Sequence, residues 1–485
     1  MHLGVDLGTS AVKALLADAA GDIFAAATAP LTAARPHPGW SEQDPRDWEA
    51  AAIAAIDAIA AQAPRALAAC AAIGLAGQMH GAVFVDAAGT PLRPCILWND
   101  GRAAAECAAL EAAFPALRQV TGNRAMAGFT APKALWLRRH EPEAFAALRM
   151  VMLPKAWLRR RLTGDSAEEM SDASGTLWLD VGAREWSDAA LAACGLDRTA
   201  MPRLVEGNAQ AGTLLPALAA RWNMARPPIF AGGAGDNAAA AIGLGAVRPG
   251  DAFLSLGTSG VLFAVTARFA PNPGGGVHTF CHALPGLWHQ MGVTLSAAAA
   301  LAWWAGIAGR AEAELLAELA AAAASPGTVL FLPHLAGERT PHADTTLRAA
   351  FAGIDHATTR ADLTRAVLEG VAFAFADSRD ALGAAGTDIG TADLVGGGAR
   401  SAEWAAILAS VTGITLRRVA ASEHAGALGA ARLARMAATG EAAETACPRP
   451  AAIATVAPDR ALAAAYAARL AQWRALTPAV KGALQ

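Results

Sequence analysis

Residues 4–24 read GVDLGTSAVKALLADAAGDIF and residues 251–271 read DAFLSLGTSGVLFAVTARFAP, so the tetrapeptide Leu-Gly-Thr-Ser stands at Leu7 to Ser10 and again at Leu256 to Ser259. Each copy lies between two apolar stretches, the pattern of a strand, a tight turn and a second strand. Glycine lets backbone N–H groups approach an anion closely, and the Thr and Ser hydroxyls add donors with little bulk. Two such turns facing each other would grip a polyphosphate. Either copy alone is as compatible with an ordinary hairpin. Recurrence at half-chain spacing is organisation rather than composition, and it predicts two similar lobes.

At 485 residues the chain exceeds what one hydrophobic core serves, which agrees with two lobes. Hydrophobic residues make up 54% of it, but much of that is alanine, and the reading is globular. The longest apolar run, 293–308, is broken by Thr, Ser and Gly and is too short to span a membrane; it predicts a buried helix. The opening MHLGVDLG has neither a basic nor a sustained apolar segment before Asp6, so a cytoplasmic enzyme is expected. A net charge of −3 with scattered basic residues speaks against a nucleic-acid or membrane-surface partner. Of the 39 basic residues only Lys13, Lys133, Lys155 and Lys481 are lysine. Cys70, Cys95, Cys107, Cys194, Cys281 and Cys447 are widely spaced, which predicts reduced structural thiols and disfavours zinc.

Strand-like and helix-like segments alternate along the chain, which implies an α/β layout. Residues 48–62 have helical spacing, Ala72 to Leu75 reads as a strand leading into GQMHG, and Cys95 to Trp98 ends in the turn Asn99-Asp100-Gly101. A strand from Ile229 runs into GAGDNAAAAIGLGAV, where glycines give way to an alanine-rich helix with Asp236 near its start. That aspartate is equally an N-cap or a catalytic carboxylate. A Pro-Gly step places the lobe boundary near 246–250, giving lobes of 1–246 and 247–485. In the second half, residues 329–332 read as a buried strand, 361–377 as a helix carrying Glu369, and 392–395 as a strand entering Gly396-Gly397-Gly398 before a helix from about Glu403. Glycines between a strand and a helix expose backbone donors suited to a phosphate or nucleoside, or simply make a turn. The tail from Pro448 reads mostly as alanine-rich helix.

In this order the motifs resemble the FGGY family of carbohydrate kinases. Residues 349–369, AAFAGIDHATTRADLTRAVLE, resemble its carboxy-terminal signature, and residues 128–140, GFTAPKALWLRRH, its amino-terminal one. Ala134 stands where a larger apolar residue is usual, which predicts looser packing beside Trp136. Residues 74–107, with Gln78-Met79-His80-Gly81, are most similar to the branch acting on D-xylulose.

The resemblance implies two actin-like (ribonuclease H-like) lobes, ATP with Mg²⁺ in the cleft between them, a ketopentose held mainly by the first lobe, and commonly a homodimer. It implies that Asp236 takes the proton from the sugar hydroxyl and, with Asn237, meets the sugar. Asp6 resembles the family's metal and phosphate aspartate. Gly8, Thr9, Ser10 and Lys13 of the first turn, and Gly257, Thr258 and Ser259 of the second, would meet phosphate, with Lys13 equally readable as a solvated strand residue. Gly397 and Gly398 would face the adenosine. Met79 and His80 look like sugar contacts, and Trp98, Asn99, Asp100 and Arg102 resemble a neighbouring stretch. Trp40 to Asp44, WSEQD, resembles a segment near the sugar, though its acidic pair also fits a solvated loop. The rivals are a kinase for another ketopentose or a sugar acid, and an actin-like or chaperone-type ATPase.

Overall fold

The computed structural model describes residues 1–320, 325–420 and 424–484. Both Leu-Gly-Thr-Ser turns are hairpins that open a sheet. In the first sheet β1 (His2–Leu7) turns at Gly8-Thr9-Ser10 into β2 (Ala11–Ala17), which continues antiparallel to β3 (Ile23–Pro30). Helix α1 (Pro45–Gln62) leads towards β4 (Ala72–Gly77), which lies parallel to β1. The sheet is extended by β5 (Gln210–Thr213) and β6 (Ile229–Ala231), while the two-residue β7 (Ala234–Gly235) pairs with the end of β4. Asp236 then starts α2 (Asp236–Gly243).

The second sheet repeats this plan. β8 (Ala252–Leu256) and β9 (Gly260–Thr266) form the second hairpin, and β10 (His278–Cys281) and β11 (Trp288–Thr294) extend it antiparallel. β12 (Thr391–Val395) and β13 (Thr415–Val419) add in parallel on the other side, closed by antiparallel β14 (Ala452–Val456). Strand orders β3-β2-β1-β4-β6 and β11-β9-β8-β12-β13 are thus equivalent, and the sequence repeat is a repeat of folding units.

One expectation about these elements is corrected. Residues 293–308 are not one buried helix: β11 pairs with β9 as far as Thr294, and a helix, α3, occupies only Ala298–Ala308. Cross-strand pairing wins in the first part of that run. The helix begins where it does because the carbonyls of Thr258 and Gly257 accept the N–H groups of Ala297 and Ala298 at 3.0 and 2.8 Å. The strand at 330–332 pairs with Ala350–Ala352 in a separate two-stranded ribbon, outside the main sheet. The expected helix around Glu369 is longer, α4 (Arg360–Ala384), started by a reciprocal capping box between Thr359 and Asp362. Glu369 accepts from Tyr466 Oη at 3.1 Å and from the Gly327 N–H at 3.0 Å, and burial pushes its carboxyl up to about 7. Ala134 is fully buried, yet Trp136 stays nearly enclosed, edge-on to Trp40 at 5.4 Å and stacked on His140 at 5.1 Å. All six cysteines are free.

One helix crosses between the halves. α5 (Ala425–Thr439) comes from the second half of the chain but packs on β1, β4 and α2 of the first. The approach is backbone to backbone and depends on glycine. A Cβ on Gly4 would lie 1.8 Å from the Ala427 carbonyl oxygen, one on Gly74 1.9 Å from that of Ala430, and one on Gly429 1.8 Å from that of Ala239.

Gly74→Ala should therefore lower stability by about 1–3 kcal/mol or more, because a methyl group must displace helix backbone. Gly383→Ala, which adds its methyl to open space near the end of α4, should leave stability unchanged or raise it by up to about 1 kcal/mol. Guanidinium denaturation of both variants checks this pair, and a neutral Gly74→Ala would sink the packing argument.

Candidate active site

Three neighbouring parallel strands end side by side. β1 and β4 pair Leu7 with Gly77, and β4 and β7 pair Gly77 with Gly235. The residues after each strand are therefore delivered to one edge of the sheet at strand spacings of about 4.8 Å: Gly8-Thr9-Ser10 from β1, Gln78-Met79-His80 from β4, and Asp236-Asn237 from β7. Asp6 lies one residue before Leu7 on the same edge. In open α/β sheets the carboxyl ends of parallel strands are where ligands are held.

His80 is in the left-handed region at φ 69°, an uncommon conformation for a residue with a side chain. Its backbone is fixed by Lys133, whose Nζ donates to the His80 and Gly128 carbonyls at 2.7 Å each, and by the Thr130 hydroxyl, which donates to the same His80 carbonyl at 3.2 Å. Lys133 is fully buried, and desolvation pulls its ammonium down to about 7. The His80 ring contacts the Gly175 carbonyl through Nδ1 at 2.8 Å. A carbonyl only accepts, so Nδ1 carries the proton and Nε2 is left as an acceptor. Burial holds the imidazole neutral, with its pKa down at about 3. Met79 is buried against the start of α2: a Cβ on Gly235 would lie 2.8 Å from its sulfur.

Thr9 is tied to this loop. Its hydroxyl donates to Gln78 Oε1 at 3.0 Å and accepts from Trp98 Nε1 at 3.0 Å, while Gln43 Nε2 donates to its carbonyl at 2.7 Å. Gln43 Oε1 in turn accepts from Gln78 and from Trp48. The Thr9 hydroxyl is thus engaged by the Gln78 loop, and the Gly8 N–H by the Ala11 carbonyl at 3.0 Å, so the donors the turn can offer a ligand are the Thr9 and Ser10 N–H groups and the Ser10 hydroxyl. Trp98 is 38% exposed, with Asn99 exposed beside it. Asp100 and Arg102 face inward instead. Asp100 accepts from the Ser41 N–H at 2.6 Å and pairs with Arg102 at 2.7 Å. Arg102 also pairs with Glu42 at 2.6 Å and lies 3.5 Å over the Trp40 ring. Glu42 is buried by Arg93 and Arg102, not solvated, and Asp44 caps α1 by accepting from the Arg46 N–H at 2.9 Å. The WSEQD stretch is a wall, built from pairs that its sequence alone does not reveal.

Asp236 is the first helical residue of α2, with Gly235 at the N-cap, so it is not itself the cap. Its Oδ1 accepts from the Asn237 backbone N–H at 2.7 Å and the Asn237 amide at 3.0 Å, which leaves Oδ2 without a hydrogen-bond partner among the described residues. The side chain is open to solvent but sunk among protein atoms, and this crowding raises its pKa despite the two hydrogen bonds. Asp6 is pushed up to about 6, first by burial and then by the charge of Asp236; Lys13, its cross-strand partner, opposes this. The first turn of α5 closes over Asp6, since a Cβ on Gly426 would lie 2.6 Å from Oδ2. Among the described residues no group of three or more His, Cys, Asp or Glu gathers to hold a metal ion. A cation drawn to Asp6 and Asp236 would complete its shell with water and phosphate oxygens, the habit of Mg²⁺.

Facing these groups is the matching edge of the second sheet. Ser255 pairs with Val395, so the Gly257-Thr258-Ser259 turn and the Gly396–Arg400 turn emerge together. Thr258 and Ser259 are exposed. A cleft of about 520 Å³ opens between the halves, bounded by Asn237 and Leu244 on one side and by Phe253, Gly397 and Val419 on the other. That is a size suited to a nucleoside. Gly397 lines it, whereas Gly398 points into the core, where a Cβ would lie 2.5 Å from Leu256. Arg418 braces the turn by donating to the Ala399 and Arg400 carbonyls at 2.9 Å.

Sequence reasoning missed Ser171 and Gly175, whose positions depend on distant strands; Gln43 and Lys133 lie inside the WSEQD and GFTAPKALWLRRH stretches, where nothing local assigned them a role.

Residues 1–243 match the N-terminal domain, and residues 252–438 the C-terminal domain, of the FGGY family of carbohydrate kinases. A xylulose kinase of Escherichia coli (strain K12) is 50% identical over 442 residues, 91% of each chain. A crystal structure described as a xyloylose kinase from Brucella ovis superposes over 100% of both chains with a TM-score of 0.97 at 50% identity. The xylulose kinase from Rhodospirillum rubrum superposes over 99% of both with a TM-score of 0.92 at 28% identity. No helix among the described residues is long and apolar enough to cross a membrane. With both lobes matched in order, the chain belongs to the FGGY family of carbohydrate kinases.

Proposed function

We propose that this chain transfers the terminal phosphoryl group of ATP to the primary hydroxyl of D-xylulose, giving D-xylulose 5-phosphate and ADP. In this reading residues 1–246 hold the sugar and the proton acceptor, and residues 247–485 hold the nucleotide. The observation that carries it is the delivery of Asp236, His80 and the first glycine turn to one sheet edge, opposite the second turn and a nucleoside-sized cleft. The choice of sugar rests on the likeness to the xylulose kinases of E. coli and R. rubrum.

Phosphoryl transfer asks mainly for alignment and charge neutralisation. Asp236 accepts the hydroxyl proton through the carboxylate oxygen that Asn237 leaves free, as the new oxygen–phosphorus bond forms and the bond to ADP breaks. The backbone donors that the Gly8–Ser10 and Gly257–Ser259 turns offer, with Lys13, face the phosphates, and Gly397 faces the adenosine. Mg²⁺, held through Asp6, would neutralise charge on the phosphate oxygens. His80 offers Nε2 as an acceptor to a sugar hydroxyl, Met79 packs beneath the sugar, and Trp98 and Asn99 stand at the rim. Gly398 serves by letting the loop lie flat on Leu256.

Asp236→Asn keeps the shape and can still accept from Asn237, so its melting temperature should match that of the parent while kcat falls by about 10² to 10⁴. A coupled assay of ADP release with D-xylulose measures this, and near-normal turnover would reject the assignment. The same assay without sugar, or with ribulose and sugar acids in its place, separates the kinase from an ATPase serving polymers or peptides, and fixes the preferred acceptor.

His80 is neutral above about pH 3, so lowering the pH through the ordinary histidine range adds no charge to it. Between about pH 5 and 8, KM for the ketose should therefore show no inflection that His80→Gln removes. An inflection near 6.5 that disappears in His80→Gln would show that His80 titrates normally.

A further inference from the structure

We infer that the buried segment Glu169–Gly175 aligns the reacting groups, with Ser171, held by Glu169, fixing the start of α2 and so the direction of the Asp236 carboxylate. This rests on the reading of Asp236 as proton acceptor.

The segment reads EMSDASG and lies wholly inside the protein. Ser171 Oγ is 3.0 Å from the Gly235 backbone nitrogen and 2.6 Å from Glu169 Oε2. The directions of these bonds are forced. The Gly235 N–H can only donate, so the hydroxyl accepts there and sends its own proton to Glu169. Glu169 also accepts the N–H groups of Ser171 at 2.9 Å and Asp172 at 3.2 Å, so its carboxylate is pinned by three donors from one short turn. Gly235 immediately precedes Asp236, and Met79 packs against it, so that a Cβ on Gly235 would lie 2.8 Å from its sulfur. Ser171 and Met79 therefore clamp the residue from which the carboxylate springs.

The far end of the segment sets a second group. The Gly175 carbonyl takes the proton of His80 Nδ1, which decides the tautomer presented to the sugar. Between the two, the Ser174 hydroxyl accepts the Cys281 N–H at 3.0 Å, a strand residue of the second half of the chain. A stretch of seven residues thus touches the acceptor's helix, the sugar-facing imidazole and the opposite lobe. Deleting the Ser171 hydroxyl leaves the Gly235 N–H buried without an acceptor and releases the helix start, while nucleotide and sugar contacts remain.

The test is steady-state kinetics of Ser171→Ala and Ser171→Thr, with Asp236→Asn measured beside them. For Ser171→Ala we expect kcat to fall about 10- to 100-fold, the loss that a misplaced reacting group produces, with both KM values within about twofold of the parent. Ser171→Thr, which keeps the hydroxyl, should recover most of kcat. Near-parental kcat in Ser171→Ala, a loss confined to KM, or a threonine variant no better than alanine would each overturn the inference. If Ser171→Ala does not fold, Glu169→Gln is read by the same criteria, since its amide reverses the bond to the Ser171 hydroxyl while keeping the volume. An inactive Asp236→Asn beside a normal Ser171→Ala removes only the alignment role; an active Asp236→Asn removes the acceptor reading itself.

Discussion

Two stretches of backbone can touch only where no Cβ stands between them, and this steric rule organises the molecule. Gly4 and Gly74 clear the first sheet for α5, and Gly429 brings that helix onto α2. The contact holds a segment from the second half of the chain against the strands that bear Asp6 and Gln78 and against the helix that begins at Asp236. With the helix seated that closely, the two sheet edges face one another and a nucleoside-sized cleft is left between them. With larger residues at those positions α5 would stand off the sheet and the edges would part.

Given that frame, the site arises from strand topology rather than from loops that wander into place. Neighbouring parallel strands deliver the Gly8–Ser10 turn, the Gln78–His80 loop and the Asp236 carboxylate at fixed lateral spacing, and side-chain hydrogen bonds then set their fine geometry. The Thr9–Gln78–Gln43–Trp48 chain does this for the first turn. Lys133 does it for His80, its buried Nζ donating to the His80 and Gly128 carbonyls.

The hairpins were legible because a tetrapeptide repeats inside apolar runs, and the helix starting at Asp236 because glycines give way to alanine. The crossing of α5 was not legible, since nothing local in AGALGAARLARMAAT says which lobe it will cover. Nor could spacing tell that Asp100 and Arg102 would satisfy each other while Trp98, two residues earlier, turned to Thr9. Residues 293–308 misled for a definite reason: the helix is apolar even on its exposed side, where Ile307 is 61% exposed, so the run shows no period to separate it from the buried strand before it. Gly397 and Gly398 read alike in sequence and differ in the fold, because one lines a cleft and the other packs on Leu256.

The wall formed by Arg93, Arg102, Glu42, Trp40 and Trp136 has a consequence of its own. Guanidinium groups do not lose their proton in any ordinary buffer, and indole rings have none to lose in this range. The two guanidinium groups and the two indoles therefore bring a fixed charge and a fixed shape to this wall. Changes in acidity are felt elsewhere, at the buried carboxyl of Asp6, which burial and the charge of Asp236 push up to about 6.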